Sequence, residues 1–255
     1  MRDNPDKAIL AAGGRAFGAM VFEFFSPGIP QICRNAGAEF ILYDMEHTGL
    51  SFETLKMQVA LCRGLDLVPM VRVPRGEYHF IARALDVGVL GVMVPMVGTA
   101  AEAAQIVACT RYPPDGRRGA AFGFAHDDYQ GGDVVAKIAA IHARTLVIPQ
   151  IETAEGLANV EAIAAVPGVD ALWLGHFDLT NFMGIPGGFR HPDYLAAVQR
   201  IVAACETNGK TAAFLATDDD WAREYKAYGF RLYAYGIDQA MLGNALRHGL
   251  EFLRQ

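Results

Sequence analysis

The sequence predicts an α/β fold, a single (β/α)8 TIM barrel spanning residues 1–255, from three observations. Eight short apolar runs rich in β-branched or aromatic residues are each followed by a segment that reads as helical, and eight strands close such a barrel. Several runs are continuously apolar instead of alternating, as parallel strands covered on both faces require. The length of 255 residues matches one barrel, so one large domain is expected.

The first strand is placed at Ala16 to Glu23 and the second at Phe40 to Asp44. Ser51, with Glu53 and Thr54 behind it, supplies a side-chain acceptor for the first amides of a helix running to Arg63. Leu67 to Val73 forms the third strand, and a helical segment ending in RALDVG leads to the fourth, Gly91 to Val97. Thr99 then heads the helix AAEAAQIVACT. From Arg111 to Asp133 the proline- and glycine-rich stretch RYPPDGRRGAAFGFAHDDYQGGD has no periodicity, and a long active-site loop is expected there. The pattern resumes with Thr145 to Ile151, then Thr153 before AEGLANVEAIAAV. Ala171 to Gly175 and Thr211 to Ala216 follow, the acidic triplet Asp218 to Asp220 starts WAREYKAYG, and Leu232 to Gly236 completes the set. The apolar positions Leu246, Leu250, Phe252 and Leu253 near the C-terminus serve either their own barrel or a neighbouring subunit.

A hydrophobic content of 52% supports a large core, and a formal net charge of -6 disfavours nucleic acid or an anionic membrane as partner. Cys33, Cys62, Cys109 and Cys205 are widely spaced and form no paired ligand motif, so they are read as reduced thiols of a cytoplasmic protein. MRDNPDKAIL has no apolar signal core, and no run approaches the roughly 20 apolar residues that span a bilayer.

Chemistry is expected at the strand ends, which converge on one face of a parallel barrel. Glu152 follows TLVIPQI and Asp178 lies just beyond ALWLG, so strands about 4.8 Å apart bring two carboxylates toward one hard divalent cation. Mg²⁺ or Mn²⁺ fits such a pair best, with Co²⁺ or Zn²⁺ as further candidates. Helix capping by Asp178 is the alternative reading. His47, ending ILYDMEH, has the chemistry of a proton carrier, and Arg72, ending LVPMVR, that of an oxyanion holder. A loop hydrogen bond and a structural ion pair are their respective alternatives. Asp86, in RALDVG, reads either as the partner that orients His47 or as a helix-end salt bridge. Lys7, Lys56, Lys137, Lys210 and Lys226 all miss the C-terminal strand ends, which disfavours a Schiff base.

Over nearly its whole length the chain resembles the HpcH/HpaI family of metal-dependent class II pyruvate aldolases. The resemblance is carried by YDMEH (43–47), VRVP (71–74), VPMV (94–97), RYPPDGRRG (111–119), QIET (150–153), GVDALWLGHFDLT (168–180) and YGID (235–238), in that order. It implies that Glu152 and Asp178 bind the metal, that His47 is the general acid/base with Asp86 as its orienting partner, and that Arg72 stabilises an enolate. It also places Gln150 in the substrate site and gives the amides near Phe177 and Asp178 to the pyruvate carboxylate. The implied reaction is reversible cleavage of a 4-hydroxy-2-oxo acid to pyruvate and an aldehyde, in a homo-oligomer built from trimers. The alternatives are a citrate-lyase-like or phosphoenolpyruvate-mutase-like carbon–carbon lyase, and a non-catalytic metabolite-binding barrel. In two places the sequence departs from the family. His176 and Phe177 stand in a segment that usually reads Gly-Pro-x-Asp-Leu-Ser, and His126 lies near the usual place of an arginine, so both histidines bear on substrate choice.

Overall fold

A computed structural model describes residues 1–255. Its strands β1 (Ala16–Val21), β2 (Phe40–Asp44), β3 (Val68–Arg72), β4 (Gly91–Val94), β5 (Leu146–Ile151), β6 (Ala171–Leu174), β7 (Thr211–Ala216) and β8 (Leu232–Ile237) form a closed, wholly parallel barrel in chain order. Helix α1 (Pro5–Ala11) precedes the barrel, and α2 (Ile29–Asn35), α3 (Phe52–Leu61), α4 (Tyr78–Asp86) and α5 (Ala100–Thr110) follow β1 to β4. The later connections hold α6 (Val134–Arg144), the short pair α7 (Ala154–Ala158) and α8 (Val160–Ala164), α9 (His176–Phe182), α10 (Pro192–Thr207), α11 (Asp219–Tyr228) and α12 (Asp238–Leu253).

The two-residue period of a strand explains both core layers. Phe40 and Leu42, Val68 and Met70, and Leu146 and Ile148 point into the barrel and pack with Met20, Met93 and Trp173. Ile41, Tyr43, Val71 and Val147 point outward against the helices. Filling the lumen with Phe40 requires a glycine opposite, because a Cβ on Gly18 would lie 2.2 Å from the Phe40 carbonyl oxygen. The same parity carries Asp44, Arg72 and Gln150 inward at the upper end, and Asp44 and Arg72 are register partners across β2 and β3.

The helix starts follow the predicted caps. Ser51 accepts from the Thr54 amide at 3.2 Å, Thr99 and Glu102 form a reciprocal capping box, Thr153 accepts from Gly156 at 2.9 Å and Asp218 from Trp221 at 2.9 Å. β4 stops at Val94, short of the expected Val97, because Pro95 donates no hydrogen bond and Met96 adopts a left-handed φ of 59°. Helix α1, absent from the sequence-based reading, closes the lower end. Its Leu10 joins the inner core, and Asn4 ties the helix to the carbonyls of Leu90 (3.1 Å) and Arg144 (2.9 Å).

Residues 111–133 connect α5 to α6 and so lie at the end of the barrel where helices finish. Within one chain this corrects the expectation of an active-site loop. A short 3-10 turn at Ala125–Asp127 and a buried Lys137–Asp127 pair (2.7 Å) anchor the segment, while Arg63 and Arg2 hold Asp128. α12 contrasts with the other long helices. Beyond Asp238 it buries no residue, and Leu242, Leu246, Leu250, Phe252 and Leu253 are exposed.

Asp6 in α1 is 1% exposed with one carboxylate oxygen unpartnered, and burial beside Glu39 pushes its carboxyl up to about 7. The folded chain therefore holds a proton that the unfolded chain releases near pH 4, so stability falls as pH rises from about 4 to about 7. Asp6→Asn is expected to flatten that limb, which carries at most about 1.4 kcal/mol per pH unit, and to raise the melting temperature at pH 8. Thermal unfolding of both proteins across pH 4–8 checks it, and parallel profiles would show that Asp6 is not the responsible group.

Candidate active site

At the upper end of the barrel a cleft of about 190 Å³ opens between the β1, β2, β3, β5 and β6 ends; His47, Arg72, Gln150, His176, Phe177 and Asp178 line it. Of the sequence-predicted set, His47, Arg72, Gln150, Phe177 and Asp178 thus meet here, with Glu152 bonded to Gln150 just behind the wall, and Asp86 does not. Arg72 is organised by Asp44, a fully buried carboxylate 2.5 Å from its Nε. The other Asp44 oxygen accepts from the His47 amide at 2.8 Å, so a single acid fixes both the guanidinium and the histidine's backbone. On its other side Arg72 Nη1 lies 3.0 Å from Glu46 Oε2, and the guanidinium sits over the Phe22 ring at 5.5 Å. Phe22 is held in turn by Asp238, which accepts from the amides of Phe22 (2.9 Å), Glu23 (3.0 Å) and Phe24 (2.7 Å).

Glu152, 1% exposed, accepts from the Met96 amide at 2.7 Å through Oε1 and from the Gln150 side chain through Oε2. The left-handed Met96 therefore has a local purpose, since this backbone turn presents its N–H to the carboxylate. Burial pushes the Glu152 carboxyl up to about 7 against that hydrogen bond, and the nearby charges of Glu46 and Asp178 add to the rise. Glu46 is raised chiefly by burial as well, against the pull of Arg72 and His47. Gly175 lets the wall close over this acid, because a Cβ there would lie 2.4 Å from Glu152 Oε2.

Asp178 does not cap a helix. α9 begins at His176 and has no side-chain cap, so Asp178 lies within its first turn and the early amides at Phe177 and Asp178 have no capping side chain. Two crowded carboxylates with a raised pKa on the buried one are the donor set that a divalent cation relieves. No group of three or more His, Cys, Asp or Glu side chains is placed to hold a metal. An ion here would take two protein carboxylates and complete its shell from substrate oxygens and water, as hard cations do. Two buried polar atoms at the cleft, Gln150 Oε1 and His176 Nε2, have no hydrogen-bond partner in the protein. Such groups call for a ligand or water.

Two expectations change. Asp86 does not orient His47 within the chain. It ends α4, at the lower end of the barrel, and accepts from Arg118 at 2.7 Å. The carboxylate beside the half-exposed His47 is Glu46, with its Oε2 3.5 Å from Nε2. His126 is buried in the 111–133 segment near Phe122 and lines no part of the cleft. Sequence reasoning passed over Asp44 and Glu46, though both lie in YDMEH. The available signal was parity, since Phe40 and Leu42 point inward and Asp44 continues the row.

His176 does line the cleft, and burial against aromatic rings lowers its imidazole to about 4. No lysine lines it: Lys7, Lys137 and Lys210 are engaged with Asp170, Asp127 and the Val169 carbonyl, and Lys56 and Lys226 lie outside the cleft, so none of its lining residues offers an amine for covalent catalysis.

The chain matches the family described as HpcH/HpaI aldolase/citrate lyase over residues 20–245. It is 36% identical over 242 residues to a hydroxypyruvate/pyruvate aldolase of Chromohalobacter salexigens, covering 95% of this chain and 94% of that one. It is likewise 36% identical over 242 residues to a 5-keto-4-deoxy-D-glucarate aldolase of Klebsiella pneumoniae, covering 95% and 93%. The crystal structure of an HpcH/HpaI aldolase/citrate lyase family protein from Burkholderia cenocepacia superposes with a TM-score of 0.92 at 33% identity, covering 99% of this chain and all of that one. A family match over residues 20–245, relatives above 30% identity and the same closed barrel lead to one conclusion: the chain belongs to the HpcH/HpaI aldolase/citrate lyase family of carbon–carbon lyases.

Proposed function

We propose that the protein is a divalent-metal-dependent aldolase that reversibly cleaves a 4-hydroxy-2-oxo acid into pyruvate, or a hydroxylated pyruvate, and an aldehyde. The observation that carries this reading is the meeting in one cleft of a buried, Asp44-held Arg72 with the carboxylates Glu152 and Asp178 and with His47. A cation on Glu152 and Asp178, with Mg²⁺ or Mn²⁺ the best match, would supply the Lewis acidity that makes protons next to a keto group removable. The chain's own residues do the rest. Arg72 faces the cleft with its guanidinium fixed on the far side, so it is set to hold the keto oxygen as negative charge develops. His47, half exposed and with Glu46 within ion-pair distance, carries the proton between the reacting carbon or hydroxyl and water. The uncapped amides at Phe177 and Asp178 receive the oxo-acid carboxylate, and Gln150 fixes Glu152 while leaving one amide atom for substrate.

The exposed apolar residues of α12 support a homo-oligomer, in line with the trimer-based assembly that the family resemblance implies, because a helix that buries nothing on its own barrel has this surface free for a second copy. No helix is long and apolar enough to cross a membrane.

Exchange of the pyruvate methyl protons in D₂O with added Mn²⁺ or Mg²⁺ tests the enolisation step without the aldehyde. Exchange that depends on the cation is expected, and none at any cation concentration would remove the aldolase reading. Arg72→Lys refines the test, because it keeps a charge for the buried Asp44 while losing the planar fork. Turnover is expected to fall by about ten- to a hundredfold, with KM moving less, as for an interaction made mainly in the transition state. A change confined to KM would assign Arg72 to ground-state binding.

A further inference from the structure

The motif YGID (235–238) departs from plain strand alternation. In β8, Leu232 and Ala234 point into the barrel, and a simple two-residue period would send Ile237 outward. Instead the β1–β8 register runs from Gly18 beside Ala234 to Met20 beside Ile237, so β8 carries one extra residue there. Gly236 permits this bulge, with a left-handed φ of 67°. Ile237 is thereby turned onto the inner core, and Asp238, 8% exposed, is left against the backbone that leaves β1. One Asp238 oxygen accepts from the Phe22 amide at 2.9 Å, and the other accepts from Glu23 at 3.0 Å and Phe24 at 2.7 Å. Three consecutive amides on a single buried carboxylate fix the course of this loop. What the loop delivers to the cleft is Phe22, whose ring centroid lies 5.5 Å from the Arg72 guanidinium. Asp44 and Glu46 hold that guanidinium through its nitrogens, and the ring covers its face. A planar fork held through its nitrogens alone can still tilt, and tilting moves the donors that meet the keto oxygen.

We infer that Asp238 is a positioning residue for the reaction: by holding the loop after β1 it seats Phe22 on Arg72, which keeps the guanidinium plane aligned with the developing negative charge. The inference rests on the aldolase reading for the role of Arg72. Four variants test it: Asp238→Asn, Phe22→Leu, Phe22→Tyr and the double variant Asp238→Asn/Phe22→Leu. In Asp238→Asn at least one of the three amides faces an NH₂ group instead of an acceptor, whereas Phe22→Leu removes the ring and Phe22→Tyr keeps it. Exchange of the pyruvate methyl protons with Mn²⁺ gives turnover and KM. Calorimetric titration of oxalate, a planar dianion shaped like the pyruvate enolate, into the Mn²⁺-loaded protein adds a readout that needs no turnover. Both turnover and oxalate affinity are expected to fall about tenfold in Asp238→Asn and Phe22→Leu, with KM changing less, and to stay near wild type in Phe22→Tyr. The double variant is expected to be no worse than the poorer single one, because both substitutions remove the same contact. Wild-type turnover in Asp238→Asn overturns the inference, as do equal losses in the two Phe22 variants or losses that multiply in the double variant. Should near-UV circular dichroism show Asp238→Asn unfolded, Asp238→Glu takes its place with the same expectation, since it keeps both acceptors but displaces them by a methylene. If the wild type exchanges no pyruvate protons while oxalate affinity follows the stated order, the aldolase reading falls and the role of Asp238 stands; cation-dependent exchange at wild-type rates in every variant has the opposite meaning.

Discussion

Glu152→Gln is expected to abolish cation-dependent turnover while the barrel stays folded. The substitution is nearly isosteric at a position where even one Cβ on Gly175 would collide, so packing is preserved. The amide oxygen can still accept from Met96, and Gln150 can turn its own oxygen toward the new amide, so the hydrogen bonds survive as well. What is lost is a negative charge that the fold does not need. Burial already pushes this carboxyl up to about 7, so at neutral pH its ionisation opposes folding. The variant is therefore expected to be at least as stable as wild type at pH 8. Mn²⁺ titration by calorimetry supplies a second readout. In wild type a proton competes with the cation, and affinity weakens as pH falls below about 7, by up to about tenfold per unit. In Glu152→Gln both the affinity and this pH limb disappear. An unchanged affinity would mean that any ion binds elsewhere.

His47→Ala is expected to slow proton exchange and aldol cleavage by about 10² to 10⁴-fold, the usual range for loss of a general acid/base, with Mn²⁺ affinity close to wild type. The side chain is half exposed and contributes nothing to the core, while its backbone amide keeps its bond to Asp44 whatever the side chain. A loss of activity in a normally folded variant is then a loss of chemistry. Near wild-type exchange of pyruvate methyl protons would confine His47 to the aldehyde half-reaction or to a structural role. Glu46, as the neighbouring carboxylate, is the control. Glu46→Gln is expected to cost less than His47→Ala because it removes only the partner.

Much of this protein is determined locally. A continuous apolar run such as FILYD can only be a strand covered on both faces, and the caps at Ser51, Thr99, Thr153 and Asp218 act within one helical turn of themselves, so both features survive into the structure with little change. The same holds for the row Phe40, Leu42, Asp44, since parity is a property of the strand itself. The chain path also limits which residues can share a site. Each strand rises and the following helix descends, so Asp86 at the end of α4 and residues 111–133 after α5 lie at the end opposite His47. That consequence was implicit in the order of elements.

Other features exist only once distant segments meet. The pairing of Arg72 with Asp44 depends on the β2–β3 register, and the bond from Met96 to Glu152 depends on a left-handed turn at the end of another strand. The raised carboxyls of Glu46 and Glu152 depend on being crowded and dried together, and the ring box of His176 is assembled from residues up to 45 positions away. Sequence by itself determined the barrel and the end on which chemistry could occur, because these follow from periodicity and chain direction. Tertiary structure alone decided which charges face one another and which are desolvated, because electrostatic energies depend on distances and burial that no local pattern encodes.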